Sequence, residues 1–421
     1  MKETSIEQDL SPVFIHSKTN PLEEIIRQGA RQLLQTALDA EVEQILELFK
    51  EQKDKNGRQR VVRNGYRPQR EIVSGAGRLE VRPPRLRDRA GQERLTSAIL
   101  PPYLRRVPSV DALIPTLYLR GVSTGDFYEA LEAILGPRAA GLSATNIVRL
   151  KRVWEKEHEQ WSQRSLKDKQ YLYLWADGVH FNVRLEEERT CILVLMGALA
   201  DGTKELVAVW DGYRESKLSW QEVLRDLKRR GLRSPKLSIG DGALGFWAAL
   251  QEEFPGCRQQ RCWVHKTANV LDKLPKSQQA KAKGMIHDIY LAATRSEALT
   301  AFQSFHTLYQ AKYPKACACL HKDKAERFAF YDFPAEHWQH IRTTNPIEST
   351  FATVRHRTRR TKGCGSRAAT LAMVFKLAHT AQRRWRKLNG SHQIEKVIRG
   401  VKFIDGIEES HHQKETITQS A

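Results

Sequence analysis

The stretch Tyr171-Leu-Tyr-Leu-Trp-Ala-Asp177-Gly decides the fold, because it is an apolar run that leads directly into an acidic residue. A short apolar run bounded by a turn signal predicts a buried strand. Pro235-Lys-Leu-Ser-Ile-Gly-Asp241-Gly repeats the pattern. A third acid, Glu348, lies far downstream, just ahead of a run of arginines. Three such carboxylates in a basic chain predict a divalent-metal site that acts on a phosphodiester.

The periodicity around the first two acids predicts an α/β fold. The expected elements are the strands Tyr171–Ala176, Cys191–Leu199 and Glu205–Trp210, a helix Ser216–Arg230, a strand Lys236–Ile239, a helix Ala243–Glu253 and a strand Arg258–Trp263. Three antiparallel strands followed by alternating helix and strand are typical of a ribonuclease-H-like core. In that core the first and fourth strands are neighbours, so Asp177 and Asp241 should meet. The sequence from His265 to His340 is helical, which predicts an all-helical insertion.

The choice of acids has alternatives, because four Asp-Gly pairs occur and Asp-Gly is first of all a turn signal. Asp201 fits a hairpin turn best. Asp211 ends the third strand and is the main competitor of Asp177 and Asp241. Like charges that lie close together are costly unless a cation neutralises them, which favours metal binding over a bare acid pair.

Glu348 has a structural explanation as well as a catalytic one. Asn345 at the N-cap, Pro346 at N1 and Glu348 at N3 would form a capping box. Capping and metal binding are both left open, and both can hold, since a cap fixes where the carboxylate points.

Cys262 and His265 form a single Cys-x-x-His motif. Zinc needs about four ligands. The conjectured additional ligands are Cys257 with His287, or the pair Cys317 and Cys319. A structural or strand-positioning role is therefore favoured over zinc binding.

Charge and composition indicate a polyanionic partner. The net charge is +20, and two stretches are one-sided: residues 51–110 hold 15 Lys/Arg against 6 Asp/Glu, and residues 355–387 hold 11 Lys/Arg and no acid. Basic stretches of this kind favour nucleic acid over a membrane surface, since no basic amphipathic anchor is evident. The sequence shows no transmembrane segment, signal peptide or disulfide framework, which predicts a soluble, reduced, cytoplasmic protein.

The N-terminal part is predicted to read DNA. A helix spans Pro21–Phe49, a small hairpin surrounds residues 71–81, and three short helical patterns lie between Ser109 and Leu150. These three patterns suggest a helix-turn-helix-like module, with a plain helical bundle as the alternative. The candidate DNA contacts are Thr145, Asn146, Arg149, Arg355, Arg357, Arg359, Arg360 and Lys362. Trp338 is a candidate for stacking on an unpaired base, with a buried core position as its alternative.

Five motifs together resemble one family. They are Asp177-Gly-Val-His-Phe, Asp211-Gly-Tyr-Arg-Glu-Ser, Ile239-Gly-Asp-Gly-Ala-Leu-Gly-Phe-Trp, Gln260-Arg-Cys-Trp-Val-His-Lys and Arg342-Thr-Thr-Asn-Pro-Ile-Glu-Ser-Thr-Phe. This string closely resembles the bacterial insertion-sequence transposases of the Mutator-like superfamily, over nearly the whole chain.

The resemblance implies a DDE transposase whose catalytic and metal-binding residues are Asp177, Asp241 and Glu348. It implies two Mg²⁺ ions, with Mn²⁺ as an alternative, and places Cys262 and His265 in the family's Cys-x-x-His signature. The expected partners are double-stranded DNA, as terminal inverted repeats and target, and further copies of the chain in a dimer or higher oligomer on DNA. The expected location is the bacterial cytoplasm, in association with the nucleoid.

The predicted domain boundaries follow from the same patterns. They are an N-terminal helical region (1–55), a basic hairpin region (56–108), the helix-turn-helix-like domain (109–165), the first part of the core (166–264), the helical insertion (265–340), the final core helices (341–400) and a disordered tail (401–421). Two rival functions remain: a DNA-binding protein without catalysis, and a metal-dependent nuclease that cuts without joining.

Overall fold

The computed structural model of the protein describes residues 21–91, 95–119, 122, 129–130, 133, 144–181, 190–212, 215–242, 244–360 and 366–409. The chain divides into two compact units, Met1–Asn146 and Ile147–Ala421, which are described separately. Among these described residues, no helix is both long enough and apolar enough to cross a membrane.

The first unit combines one long helix with two small strand pairs. Its elements are α1 (Pro21–Leu48), β1 (Val61–Tyr66), β2 (Arg70–Ser74), β3 (Gly77–Val81), β4 (Pro84–Asp88) and α2 (Pro108–Leu119). β2 and β3 form the predicted hairpin, and β1 pairs with β4. The apolar stripe of α1 is buried near its C-terminal end, where Leu38 packs with Ile72, Val81 and Leu100. Its first turns leave their apolar side chains exposed.

The third of the predicted short helices is longer than expected. This helix, α3 (Ala144–Ser162), does not stop near Leu150. It continues into the second unit, where Trp154 is buried and His158 Nε2 lies 3.0 Å from the carbonyl oxygen of Val209. The predicted second helix lies mostly outside the described residues.

The second unit is built on a five-stranded sheet. Its strands are β5 (Tyr171–Phe181), β6 (Thr190–Leu199), β7 (Lys204–Asp211), β8 (Leu237–Gly240) and β9 (Arg258–Arg261), in the order β7-β6-β5-β8-β9. β5, β6 and β7 are antiparallel, while β8 runs parallel to β5 and to β9. The helices α4 (Lys217–Arg229) and α5 (Leu244–Glu253) connect β7 to β8 and β8 to β9. The predicted strands and helices of this segment are confirmed.

Two predicted boundaries are wrong. The strand predicted to end at Trp263 ends at Arg261, and Trp263 begins a helix. The other boundary concerns the first acid. β5 does not end at Ala176, because its pairing with β6 continues through Asp177 and Gly178 to Phe181. Asp177 is therefore held inside an antiparallel ladder. The expected hairpin at Asp201 is confirmed: Gly202 has a φ of 80°, and the Thr203 backbone N–H donates to the Asp201 carboxylate at 2.9 Å.

Alternation along β5 sends its side chains to two different packing layers. On one face, Leu174 and Ala176 join a core with Trp220 of α4 and Phe246 of α5. On the other face, Trp175 Nε1 donates to the carbonyl oxygen of His340 at 3.0 Å. The sheet is thus covered on both sides around the first acid.

The segment after β9 is helical, as predicted. It contains α6 (Trp263–Leu271), α7 (Lys276–Leu291), α8 (Arg295–Tyr309), α9 (Pro314–His321), α10 (Lys324–Arg327), two short 3₁₀ turns and α11 (Trp338–Ile341). α12 (Asn345–Arg360) then packs on β5, and α13 (Arg367–Gln382) packs on β7. Glu348 is thereby brought to the sheet.

The C-terminal part is more ordered than predicted up to residue 409. After α14 (Ile394–Ile398), the strands β10 (Phe403–Ile404) and β11 (Ile407–Glu408) form a small hairpin. The hairpin is anchored because the backbone N–H of Gly406 donates to the Tyr331 carbonyl, and that of Ala335 donates to the Gly406 carbonyl. The predicted disordered tail from residue 401 is therefore wrong for residues 401–409, and residues 410–421 lie outside the described residues.

A half-buried histidine, His340, predicts acid sensitivity. Burial, together with the charge of Lys204, lowers the pKa of His340 from 6.5 to about 4. A depressed pKa means that its contribution to stability is complete above pH 6.5 and is lost as the pH falls through about 4. We expect the free energy of unfolding to fall by about 1–2 kcal/mol over this range, a value reduced for partial solvent screening.

The measurement is thermal unfolding between pH 7 and pH 4. His340→Gln should flatten the decline, whereas His321→Gln, at an exposed position, should leave it unchanged. Equal declines in both variants would contradict the assignment.

Candidate active site

Asp177 and Asp241 lie on neighbouring parallel strands. Trp175 of β5 pairs with Ile239 of β8, so the two acids, each two residues further along, stand at the same level. Neighbouring strands are about 4.8 Å apart. Burial raises the pKa of Asp177 to about 7, and the charge of Asp241 is the next largest cause. The expected meeting of the first and fourth strands is therefore confirmed.

Glu348 reaches the same region from the first turn of α12. Its charge also raises the pKa of Asp177, so the three acids act on one another across two strands and a helix. Within the described part of the chain, neither Asp177 nor Glu348 is paired with a Lys or Arg. The three carboxylates do not form a group whose oxygen atoms all lie within 4.8 Å.

The start of α12 differs from the predicted capping box. The helix begins at Asn345 itself, so that Thr344 takes the capping position. The Asn345 backbone N–H lies 3.4 Å from Thr343 Oγ1, and the Thr344 hydroxyl donates to Glu348 Oε1. Glu348 is thus oriented by a side chain that the sequence did not suggest.

Both residues of the Cys-x-x-His motif lie near the Glu348 carboxylate. Thr344 donates its backbone N–H to Cys262 Sγ at 3.2 Å, and its Oγ1 lies 3.2 Å from that sulfur and 3.3 Å from His265 Nδ1. His265 Nδ1 lies 3.5 Å from Glu348 Oε1. The interaction with Cys262 is the largest cause that raises the pKa of His265 to about 9. The motif therefore lies against the Glu348 carboxylate and the threonine that donates to it.

Gly178 and Gly242, which follow the two aspartates, leave space for neighbouring side chains. Neither Gly178 nor Gly242 has a left-handed φ, unlike Gly202 of the hairpin. A Cβ at Gly178 would lie 2.7 Å from the carboxylate of Glu215, and a Cβ at Gly242 would lie 2.7 Å from the guanidinium of Arg261. The turn explanation is wrong for Asp177-Gly178, which lies inside β5, whereas Asp241-Gly242 lies at a bend between β8 and α5.

Glu215 is a further half-buried acid beside β5 that the sequence analysis did not single out. Burial raises its pKa to about 7, and the charge of Asp241 is the next cause. The Trp220 indole N–H partly opposes this effect and lowers the pKa of Glu215. A signal was present, because Glu215 belongs to the motif that begins at Asp211. Asp211 itself is paired with Arg367 at 2.7 Å.

Comparison with known proteins identifies the family of the chain. A family model described as "Transposase, Mutator family" matches residues 1–388.

The chain belongs to the Mutator family of transposases.

Two curated relatives support this family membership. The transposase for insertion sequence element IS6120 of Mycolicibacterium smegmatis is 53% identical over 70% of this chain and 91% of that protein. The transposase for insertion sequence element IST2 of Acidithiobacillus ferrooxidans is 54% identical over 66% of this chain and 95% of that protein. A solved Drosophila P element transposase strand transfer complex aligns at 10% identity over 74% of this chain and 87% of that chain. Its TM-score of 0.29 is too low to support an argument.

Trp338 of the transposase is a core residue. Its indole N–H donates to the Phe333 carbonyl at 2.8 Å, and its ring packs edge-on against Phe330 and Tyr331. The core position favoured for this residue is confirmed, and base stacking is not supported, because the side chain is buried.

The predicted zinc partners do not join the Cys-x-x-His motif in the described part of the transposase. The metal-compatible group there consists of Cys262, His265 and Glu348, without Cys257, His287 or the Cys317–Cys319 pair. Cys257 and Cys317 are buried free thiols. A structural role for the motif, as favoured from the sequence, agrees with this arrangement.

The predicted DNA-contact residues of the transposase lie on two helices. Arg149 is exposed on α3, which also carries Thr145 and Asn146. Arg355 is exposed on α12, and Arg357, Arg359 and Arg360 follow it on the same helix. Lys362 lies outside the described residues. The α12 arginines thus follow Glu348 along one helix, whereas α3 is a separate element.

Proposed function

We propose that the transposase is a DDE enzyme with a ribonuclease-H-like core. The strand order β7-β6-β5-β8-β9, with three antiparallel strands followed by two parallel ones, supports this fold. The helical segment from Trp263 to Ile341 then counts as an insertion between the sheet and Glu348. The single observation that carries the proposal is the convergence of Asp177, Asp241 and Glu348 on one region.

The residues present fit divalent cations. The donors are carboxylate oxygens, which suit Mg²⁺ and Mn²⁺. In the described part of the chain Asp177 and Glu348 lack Lys or Arg partners. The imidazole of His265, 3.5 Å from Glu348, offsets part of their mutual repulsion, and a cation would offset the rest. We propose that Asp177, Asp241 and Glu348 hold two Mg²⁺ ions, with Mn²⁺ as an alternative. Such cations, when bound, polarise a phosphate and activate an attacking oxygen.

The chemistry we propose has two exchanges at phosphorus. Water attacks the phosphodiester at the end of the element, and the broken P–O bond leaves a 3′-OH. That hydroxyl then attacks a phosphodiester of the target strand, so one bond forms as another breaks. No nucleotide cofactor is required, and no Walker-type Gly-x-x-x-x-Gly-Lys occurs in the sequence. Thr344 and His265 hold the Glu348 carboxylate in one orientation through both steps.

DNA is proposed to contact the basic parts of the chain. The region of residues 109–165, read as a helix-turn-helix-like domain, would recognise the terminal inverted repeats. The arginines of α12 would hold phosphates close to Glu348, since they follow it on one helix. Joining two element ends requires at least two copies of the chain on DNA.

Metal removal tests this proposal directly. With labelled element ends and target DNA, Mg²⁺ should give strand-transfer product, and chelation by EDTA should abolish cleavage while DNA binding persists. Restoring Mg²⁺ or Mn²⁺ should restore the product. Cut ends without joined product would favour a nuclease, and binding without cleavage would favour a non-catalytic DNA-binding protein. Either result would overturn the assignment.

A further inference from the structure

We propose that His180, Cys191 and Glu215 form a binding site for one Zn²⁺ ion, separate from the three acids of the proposed active site. The three residues come from β5, from β6 and from the connection between β7 and α4. One nitrogen, sulfur or oxygen atom of each lies within 4.8 Å of the corresponding atom of the other two. The inference does not depend on the proposed function, because it assigns a different metal to a different face of the sheet.

The proposed zinc site lies on the face of β5 opposite Asp177. Ala176 packs in the core with α4 and α5, so alternation along the strand places Gly178 and His180 on that same face. Cys191 belongs to the same core and pairs directly with His180 across the β5–β6 ladder. Directly opposed residues of antiparallel strands have Cβ atoms about 4.5–5.5 Å apart. The imidazole and the thiol are therefore neighbours on this face.

Gly178 makes room for the third ligand. A Cβ on Gly178 would lie 2.7 Å from Cδ and Oε2 of Glu215, and 3.0 Å from its Oε1. The absent side chain lets the Glu215 carboxylate approach the strand, where Oε2 lies 3.9 Å from Nε2 of His180. The φ of Gly178 is not left-handed, so the backbone itself does not require glycine at this position. The glycine therefore serves the position of the carboxylate.

The three donor atoms suit Zn²⁺ better than Mg²⁺. Imidazole nitrogen and thiolate sulfur are zinc ligands, whereas Mg²⁺ prefers oxygen ligands. A tetrahedral Zn²⁺ ion, with bonds of about 2.0–2.3 Å, holds its ligand atoms roughly 3.3–3.6 Å apart. The 3.9 Å between His180 and Glu215 is close to this separation. The Cys191 thiol would release its proton to water on binding, and a water molecule would be the fourth ligand.

The charge balance around Glu215 also favours a bound cation. Among the described residues, the ion-pair partner of Glu215 is His180 and not a Lys or Arg. The Glu215 side chain is only 18% exposed, and Cys191 is fully buried. A carboxylate that is largely removed from water without a strong partner is costly. A Zn²⁺ ion would offset this cost and would join three segments of the chain just beyond Asp177.

The experiment measures Zn²⁺ and Cd²⁺ binding by the full-length transposase without DNA, in saturating Mg²⁺. Calorimetry gives the Zn²⁺ affinity, and the ultraviolet charge-transfer absorption of Cd²⁺ reports a thiolate ligand. The wild type should bind Zn²⁺ with a rise in Tm, and Mg²⁺ should not displace the ion. Cys191→Ala should lose one equivalent of the Cd²⁺ absorption. Cys257→Ala, at another buried free thiol, should keep the wild-type absorption.

Two further variants test the site without removing a buried side chain. His180 is 48% exposed, so His180→Gln should preserve the core. It should weaken Zn²⁺ binding at least 10-fold, since changes around a metal site typically cost 10- to 100-fold in affinity. His321→Gln, at an exposed position, should stay within twofold of the wild type. Gly178→Ala keeps all three ligands, but its added methyl should displace the Glu215 carboxylate and weaken Zn²⁺ binding by a similar factor.

Cys262→Ala distinguishes the proposed site from the other thiol-containing group. Cys262 lies with His265 and Glu348 in the second metal-compatible group of the described residues. Cys262→Ala should keep the absorption that Cys191→Ala loses. Loss of the absorption in Cys262→Ala with none in Cys191→Ala would overturn the proposal. So would unchanged Zn²⁺ affinity in His180→Gln, displacement of Zn²⁺ by Mg²⁺, or no Zn²⁺ binding by the wild type. Cleavage by the three acids is measured separately and is not decided by these results.

Discussion

Asp177→Asn, Asp241→Asn and Glu348→Gln should each lower the rate of strand cleavage by about 10³-fold or more while binding of element ends is retained. Each change keeps the shape of the side chain but removes the charge that holds a cation. Metal-ion catalysis supplies several kcal/mol of transition-state stabilisation, and about 4 kcal/mol corresponds to 10³-fold in rate.

The measurement is single-turnover cleavage of labelled element ends in Mg²⁺, alongside a binding assay in Ca²⁺. Asp201→Asn is the control, because Asp201 is also followed by glycine but lies in the β6–β7 hairpin, where Asn-Gly is equally suited. It should cleave at the wild-type rate. Substantial Mg²⁺-dependent cleavage by any one of the three variants would remove that residue from the catalytic set.

Thr344→Val should lower the cleavage rate about 10- to 100-fold, the range found when a residue that orients a metal ligand is lost. Valine keeps the volume of threonine but cannot donate to Glu348 or meet Cys262 and His265. The carboxylate would then lose its fixed orientation, whereas the fold would keep its packing.

Thr350→Val is the matched control for this second change. Thr350 is also buried and lies on the same helix, but its hydroxyl has no hydrogen-bond partner. The control should therefore keep full activity and gain slightly in Tm. The decisive measurement is single-turnover cleavage at rising Mn²⁺ concentration. Mispositioning of Glu348 should be partly rescued by high Mn²⁺, and equal activities of the two variants would rule out the positioning role of Thr344.

The strands of the sheet and their pairing could be predicted from the sequence, but not all of the contacts at the candidate site. Apolar runs mark β5 and β8, and the order of elements predicts that these strands pair, so the meeting of Asp177 and Asp241 could be derived. The sequence could not show that β5 continues past Asp177, because Asp-Gly signals a turn wherever it occurs. Only the packing of the Glu215 carboxylate against Gly178 shows that this glycine makes room for a side chain and does not form a turn.

Contacts between distant segments account for the other differences. Thr344 lies 82 residues from Cys262, and neither residue suggests the other. For Trp338 the sequence left both base stacking and a core position open, because an aromatic residue beside a functional motif looks the same whether its ring is exposed or packed. Its hydrogen bond to Phe333 depends on the local 3₁₀ turns, which have no strong sequence signature.

The hydrogen bonds at the start of α6 have a consequence for how such a chain can vary. The backbone N–H of Trp263 donates to the Arg342 carbonyl at 3.0 Å, beside the link between Thr344 and Cys262. The helical segment thus begins and ends at the same place beside the sheet, and hydrogen bonds join its two ends there. Residues could therefore be inserted or deleted within the helical segment between Trp263 and Arg342 without altering the distance between Asp241 and Glu348.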